Sequence, residues 1–244
     1  MNPTYIRDDC VRLSDCDSTG RLSLPALFDM FMDVATLHAD DLGIGFDDLR
    51  PRQLFWLAVR TRIRVHRRSD LSAPIRIETW PEKGGKLRCY RNYRLFDGES
   101  PAAEGKTEWA VIDTGTGRLA PLLEAYPAGL MDVLRTDSVW SEPFARVRED
   151  FSDGEEWAGY TVRSTDIDVG GHMNNAAYPR MVLGAFSNAE LRDMDIREMD
   201  FAYRNPCYEG DELRLCRRRI ESGWELGAFN REGKTVLLGR IGGR

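Results

Sequence analysis

The sequence has 244 residues, 42% of them hydrophobic and 30% charged, the composition of an ordinary globular protein. Its net charge of -6 argues against general nucleic-acid binding, which needs a basic footprint. No apolar run approaches bilayer length, and the opening MNPTYIRDDC lacks the basic and apolar regions of a secretory signal, so a cytoplasmic protein away from membranes is expected.

In chain order, residues 4–13 read as a short strand that runs into an acidic turn, SDCDSTG. Ser23 then stands as an N-cap, with Pro25 in the first turn of a helix. Leu24, Leu27, Phe28, Phe31, Val34 and Leu37 recur at helical spacing. Met30, Met32 and Ala35 widen the apolar face, as expected of a helix wrapped by other structure. QLFWLAVRTRIRVHR (53–67) is a long alternating strand pattern, followed by APIRIETW, KLRCYRNYRLF and EGKTEWAVID. Turn-like breaks at 83–85, 97–98 and 115–117 separate or end these strands. Residues 121–157 hold three prolines and an acidic end, and read as a connector.

Beyond the connector the plan repeats. VRSTDIDVGGHMNNAAYPRM (162–181) aligns with VRLSDCDSTGRLSLPALFDM (11–30) at a constant offset of 151, with seven of twenty positions identical. Asp15/Asp166, Asp17/Asp168 and Gly20/Gly171 are among them. Chance would give about one or two. IREMDFAYR, DELRLCRRRI, WELGAFN and KTVLLGRI supply a second set of strands. One helix and a strand meander, made twice, predict an α+β protein with two antiparallel sheets, each around a central helix. The expected limits are residues 1–120, a connector at 121–157, and residues 158–244. This arrangement resembles a tandem, or double, hotdog.

The acidic turn of the second copy holds one of only three histidines. Asp-x-Asp-x-x-Gly resembles the start of a calcium loop, yet the twelfth position, which needs glutamate, is Ala26 in one copy and Ala177 in the other. The five cysteines form no CxxC pair, which argues against zinc and against a disulfide framework, so no metal is expected. Caps and tight turns account for the residues the copies share. They do not account for the differences: Arg21, Ser23 and Leu24 become His172, Asn174 and Asn175. A histidine can activate water, a carboxylate such as Asp168 can orient it, and a helix start offers N–H groups to a developing oxyanion. Acyl transfer to water fits these residues and requires no cofactor.

At these residues the sequence resembles the acyl-acyl-carrier-protein (acyl-ACP) thioesterases of plastids and bacteria. HADDLGIGFDDL (38–49), WLAVRTRIRV (56–65), IETWPEKGGKLRCYRNY (77–93), DIDVGGHMNNAAY (166–178) and YRNPCYEGDEL (203–213) carry the resemblance. It implies that Asp168 and His172 take the catalytic positions, with Asn174 beside them and Asn175 as a further candidate. It places Cys207 at a cysteine that plant members carry in a Glu-Cys pair; the ordinary reading of such a thiol is a small buried hydrophobe. It also implies that apolar residues of the first copy line an acyl pocket, with Phe31, Phe55 and Trp56 as candidates. Two positions depart from the family pattern. Gly170 stands where an asparagine is expected, and Pro206 where a glutamate is.

The expected reaction is hydrolysis of fatty acyl-ACP, and the expected partner is acyl carrier protein bearing a phosphopantetheine-linked chain. An acyl-CoA thioesterase and a non-catalytic acyl-binding protein stay open, as does a homodimer. Arg60, Arg62, Arg64, His66 and Arg68 alternate along one strand, and Arg217, Arg218 and Arg219 form a second basic cluster. Each reads either as a solvated face or as a surface for an acidic carrier.

Overall fold

The computed structural model describes residues 1–243, which divide into two units, residues 1–59 with 66–142 and residues 60–65 with those from 143 onward. The connector is thereby shared, residues 121–142 going with the first unit and 143–157 with the second.

The first unit contains β1 (Tyr5–Cys10), α1 (Leu24–Asp41), α2 (Phe46–Leu49), the start of β2 (Leu54–Val65), β3 (Pro74–Pro81), β4 (Arg88–Asp97), β5 (Ser100–Asp113), β6 (Arg118–Ala120), α3 (Leu122–Ala125) and α4 (Leu130–Val133). Its strands pair antiparallel in the order β1-β3-β4-β5, with β6 on β5. The helix begins where its sequence dictates. Ser23 is the N-cap, its hydroxyl accepts from Ala26 N–H at 3.2 Å, and Pro25 lies in the first turn. The α1 face bearing Leu27, Phe28, Phe31, Val34 and Ala35 is buried, and the helix packs on β3 and β1.

One contact fixes how closely that helix approaches. Phe31 stacks on Tyr93 of β4 with ring centroids 4.9 Å apart. Tyr93 faces Gly105 of β5 in the register, and a Cβ at Gly105 would lie 2.7 Å from the Phe31 ring. The glycine therefore makes room for the ring.

The interior of this unit also holds charge. His38, on the last turn of α1, is 1% exposed. Its Nε2 lies 2.9 Å from the Asn2 carbonyl and its Nδ1 3.0 Å from Arg91 Nη1. Arginine can only donate, so Nδ1 accepts and the proton resides on Nε2. Burial, then the Arg91 charge, lowers the His38 pKa to about 4.

The second unit contains the end of β2, β7 (Glu155–Thr161), α5 (Ala177–Gly184), α6 (Asn188–Asp193), β8 (Glu198–Tyr203), β9 (Glu212–Ile220), β10 (Gly223–Asn230) and β11 (Thr235–Gly242). Its sheet order is β2-β8-β11-β10-β9-β7, again antiparallel. Helix α5 has 8 residues against 18 in α1. Pro179 falls in its first turn, where the missing N–H breaks no helical bond. Ser187 and Glu190 then form a capping box that starts α6.

The arginines of β2 are neither a solvated face nor a docking surface. Arg62 is 8% exposed, and it donates to the Pro143 carbonyl at 3.0 Å and to Glu198 Oε1 at 2.6 Å. Arg64 binds Glu198 Oε2 at 2.9 Å, and Arg60 binds the Ala145 carbonyl at 3.1 Å. Asp200 accepts the Ala145 N–H at 2.6 Å, and burial raises its pKa to about 6. These side chains hold residues 143–145 on the sheet. No described helix is long and apolar enough to cross a membrane.

The depressed pKa of His38 gives stability a defined pH dependence. The folded state binds its proton less tightly than the unfolded chain does, so the contribution is present above about pH 6.5 and is lost as pH falls toward 4. Between pH 7 and pH 5 the loss from this group is about 2 kcal/mol. Urea unfolding at the two pH values should show it in the native chain and should show that much less in His38→Gln.

Candidate active site

The two acidic turns are built alike, bond for bond. In the first copy Asp15 accepts Arg12 N–H on its carboxylate at 2.9 Å and Ser23 N–H on its carbonyl at 2.7 Å. In the second, Asp166 accepts Arg163 N–H at 2.8 Å and Asn174 N–H at 2.8 Å. Asp17 N–H donates to Arg21 O and Gly20 N–H to Asp17 O; Asp168 N–H donates to His172 O and Gly171 N–H to Asp168 O. Gly20 and Gly171 have φ of 75° and 77°, which only glycine adopts without strain. Leu22 N–H bonds Ser69 O, and Met173 N–H bonds Cys207 O, each at 2.8 Å. Cys207 therefore stands where the first copy has Ser69.

On this common backbone the side chains diverge. In the first copy Arg68 forms an ion pair with Asp17, and Arg21 lies 3.6 Å from Asp70. The matching positions in the second copy are Pro206, His172 and Tyr208, so neither salt bridge has its partners. Asp168 instead has His172 Nδ1 at 3.8 Å from its Oδ1, ion-pair range but longer than a hydrogen bond. The two side chains are 30% and 23% exposed, within reach of solvent and substrate. Gly170 N–H donates to Asp168 Oδ1 at 2.7 Å. Thr19, its counterpart, gives Asp17 both its N–H and its hydroxyl, so glycine removes one donor from the aspartate.

Asn174 is exposed, and its Oδ1 accepts Ala176 N–H at 2.9 Å just before α5. Unlike its counterpart Ser23 it does not cap the helix, whose N-cap is Ala176; its oxygen closes a local turn, which leaves its amide nitrogen as a donor. Asn175 is half-buried, its carbonyl 3.4 Å from the Tyr203 hydroxyl. Cys207 is 1% exposed with the Tyr178 hydroxyl in hydrogen-bond reach, and burial pushes its thiol up to about 11. Such a thiol is protonated at neutral pH and is a poor nucleophile. Tyr178 and Tyr160, whose hydroxyl donates to Asp166 Oδ2 at 2.7 Å, join the site without any local sequence signal.

The acyl-pocket candidates lie in the first unit. Phe31 is fully buried on Tyr93. Trp56 donates from Nε1 to the Ile44 carbonyl at 2.9 Å and packs with Tyr126 and Trp109. Phe55, the adjacent residue on β2, meets Phe46 edge-on. Among the described residues no group of three or more His, Cys, Asp or Glu is placed to hold a metal ion.

Residues 4–130 match the family model of the acyl-ACP thioesterase N-terminal domain, and residues 151–234 that of the C-terminal domain. A solved acyl-ACP thioesterase from Bacteroides thetaiotaomicron superposes with a TM-score of 0.86 over 98% of this chain and 97% of its own, at 21% identity. The 12:0-ACP thioesterase of Umbellularia californica gives 0.88 over 100% and 98%, at 18% identity. Among curated relatives, the oleoyl-acyl carrier protein thioesterase of Coriandrum sativum is 21% identical over 232 residues, covering 85% of this chain and 60% of the relative. The palmitoyl-acyl carrier protein thioesterase of Gossypium hirsutum is 23% identical over 240 residues, 89% and 58%. This chain therefore spans about 60% of the length of those curated relatives. The fold defines a tandem hotdog protein. The chain belongs to the acyl-ACP thioesterase family.

Burial of Cys207 predicts its reactivity. Iodoacetamide at pH 7.5 should label exposed Cys10 in the native protein and leave Cys207 unmodified until the chain is unfolded. Peptide mapping by mass spectrometry reads both, and rapid native labelling of Cys207 would contradict the assignment.

Proposed function

We propose that this chain hydrolyses the thioester of a fatty acyl chain carried on acyl carrier protein, in the cytoplasm, releasing a free fatty acid. The observation that carries the reading is the duplicated turn. Its backbone bonds are common to both copies, while only the second places a histidine four residues after the shared aspartate.

In this mechanism the neutral His172 takes a proton from water, and the resulting hydroxide attacks the thioester carbonyl carbon. Asp168 holds the imidazole and stabilises its charged form. The developing oxyanion takes hydrogen bonds from the Asn174 amide nitrogen, with Asn175 as a second donor. Collapse of the tetrahedral intermediate breaks the C–S bond. The imidazolium returns its proton to the leaving thiolate, so the products are the fatty acid and the carrier's phosphopantetheine thiol. Water is the nucleophile, and Cys207 packs the turn from behind. The first copy receives the acyl chain, with Phe31, Phe55 and Trp56 influencing its length.

His172→Ala should lower kcat for acyl-ACP hydrolysis by about 10²- to 10⁴-fold, the usual worth of a general base, without moving the thermal midpoint. Asp168→Asn should lower it less. Unchanged fatty-acid release from His172→Ala would sink the role given to the histidine.

A further inference from the structure

Among the described residues three arginine or lysine side chains are buried: Arg62, Arg91 and Lys106. Two of them have a carboxylate in salt-bridge contact, Glu198 at 2.6 Å from Arg62 and Glu82 at 2.9 Å from Lys106. Arg91, in the first unit and 6% exposed, has none. Its Nη1 donates to His38 Nδ1 at 3.0 Å and, at 3.4 Å, to the Thr79 hydroxyl, while its other two nitrogens have no protein acceptor. Neither partner brings a countercharge, since the pKa of His38 is lowered to about 4 and its single proton sits on Nε2. Burial lowers the Arg91 pKa as well, but a guanidinium stays protonated. A buried charge without a countercharge is costly enough to need a reason.

The register of β4 and β5 sets further polar groups beside it. Arg91 pairs with Thr107, Cys89 with Trp109 and Tyr93 with Gly105. Alternation sends the side chains at 89, 91 and 93 to one face, which is the face against α1, because Phe31 stacks on Tyr93 and His38 meets Arg91. The Tyr93 hydroxyl and the Trp109 Nε1 are buried and have no hydrogen-bond partner. They lie close together without hydrogen-bond geometry: burial raises the Tyr93 pKa, and the Arg91 charge with the polar groups of Thr107 and Trp109 opposes it. Guanidinium and indole N–H groups can only donate, so the group that completes this belt must accept. Water can satisfy a hydroxyl or an indole, but it brings no countercharge. Apolar residues lie on both sides along β4. Leu95 pairs with Ile77 beyond Tyr93, and Cys89 joins the cluster of Leu42, Val111 and Leu122 beyond Arg91.

We propose that the interior of the first unit binds an acyl chain carrying an accepting oxygen along its length, and that Arg91, Tyr93 and Trp109 donate to that oxygen. The apolar residues on either side of the belt hold the methylene groups. An oxo group within the chain and a carboxylate at its far end share this chemistry. The inference rests on the thioesterase reading, which sends an acyl chain to the first copy, and deepens it by naming what that chain bears.

The test is equilibrium binding, by calorimetry, of acyl-pantetheine thioethers, which cannot be hydrolysed. At each of several chain lengths the set holds the unsubstituted chain, chains with one oxo group at each position in turn, and the chain ending in a carboxylate. In the wild type at least one oxygenated chain should bind about 10-fold more tightly than the unsubstituted chain of equal length, the worth of a charge-assisted hydrogen bond. The arm that shows this preference identifies the oxygen. Arg91→Gln keeps a donor for His38 but removes the charge, and should cut the preference to below about two-fold. Tyr93→Phe removes a hydroxyl that has no protein partner, so the fold is retained, and should weaken the preference by about 3-fold. A purely structural role for these groups would leave the preference as it is. No oxygenated chain favoured over the unsubstituted one, or a preference that either variant keeps in full, would overturn the proposal. Absence of turnover on every thioester, with the preference present, would defeat the thioesterase reading alone.

Discussion

The structure depends on one local constraint, a carboxylate that turns the chain from strand to helix by accepting the backbone N–H three residues before it. Asp15 and Asp166 do this for Arg12 and Arg163, and their carbonyls then hold Ser23 and Asn174 at the edge of the helix. With the left-handed glycines at 20 and 171, these bonds fix the direction of every side chain between. The backbone is settled before any reactive residue is chosen. Replacing Arg21 by His172 at such a corner exchanges one side chain for another without altering the path of the chain.

That separation explains why the turn was legible in the sequence. Shared aspartates and glycines identified the scaffold, and the differing residues identified the candidate chemistry. The elements were legible for a related reason. Alternation predicted the long strand at 53–67, found as β2, and Ser23 with Pro25 placed the start of α1. Those signals are local, set by φ/ψ preference and by which face is buried.

What the sequence concealed was settled by distant partners. The alternation of Arg60, Arg62 and Arg64 says that their side chains share a face, and nothing about what covers it. The answer lies 81 and 85 residues away, in the carbonyls of Pro143 and Ala145, and in Glu198 on β8. The buried Arg62 is tolerated because its charge is met by those acceptors, and Asp200 beside it bears the cost of burial as a raised pKa. Arg217 likewise sits over the rings of Trp157 and Trp224 at 5.0 and 4.7 Å, with Glu155 at 2.9 Å. Its place in an arginine run gave no hint of that aromatic enclosure.

The two departures from the family pattern acquire a common meaning on this scaffold. In the first copy Asp17 is satisfied three times over, by Thr19 N–H, by the Thr19 hydroxyl and by Arg68. Gly170 and Pro206 occupy the positions of Thr19 and Arg68 and can supply neither the hydroxyl nor the guanidinium. A carboxylate saturated with donors is a poor partner for imidazole, because each donor withdraws the charge that would stabilise a histidinium. Removing two donors leaves Asp168 with the Gly170 N–H on the same oxygen that faces His172 at 3.8 Å. The first copy closes its corner with ion pairs, Asp17 to Arg68 and Arg21 to Asp70, whereas the second relies on backbone bonds to hold the same shape. Side-chain staples given up at a turn that keeps its geometry are expected where polar groups must remain available to a substrate.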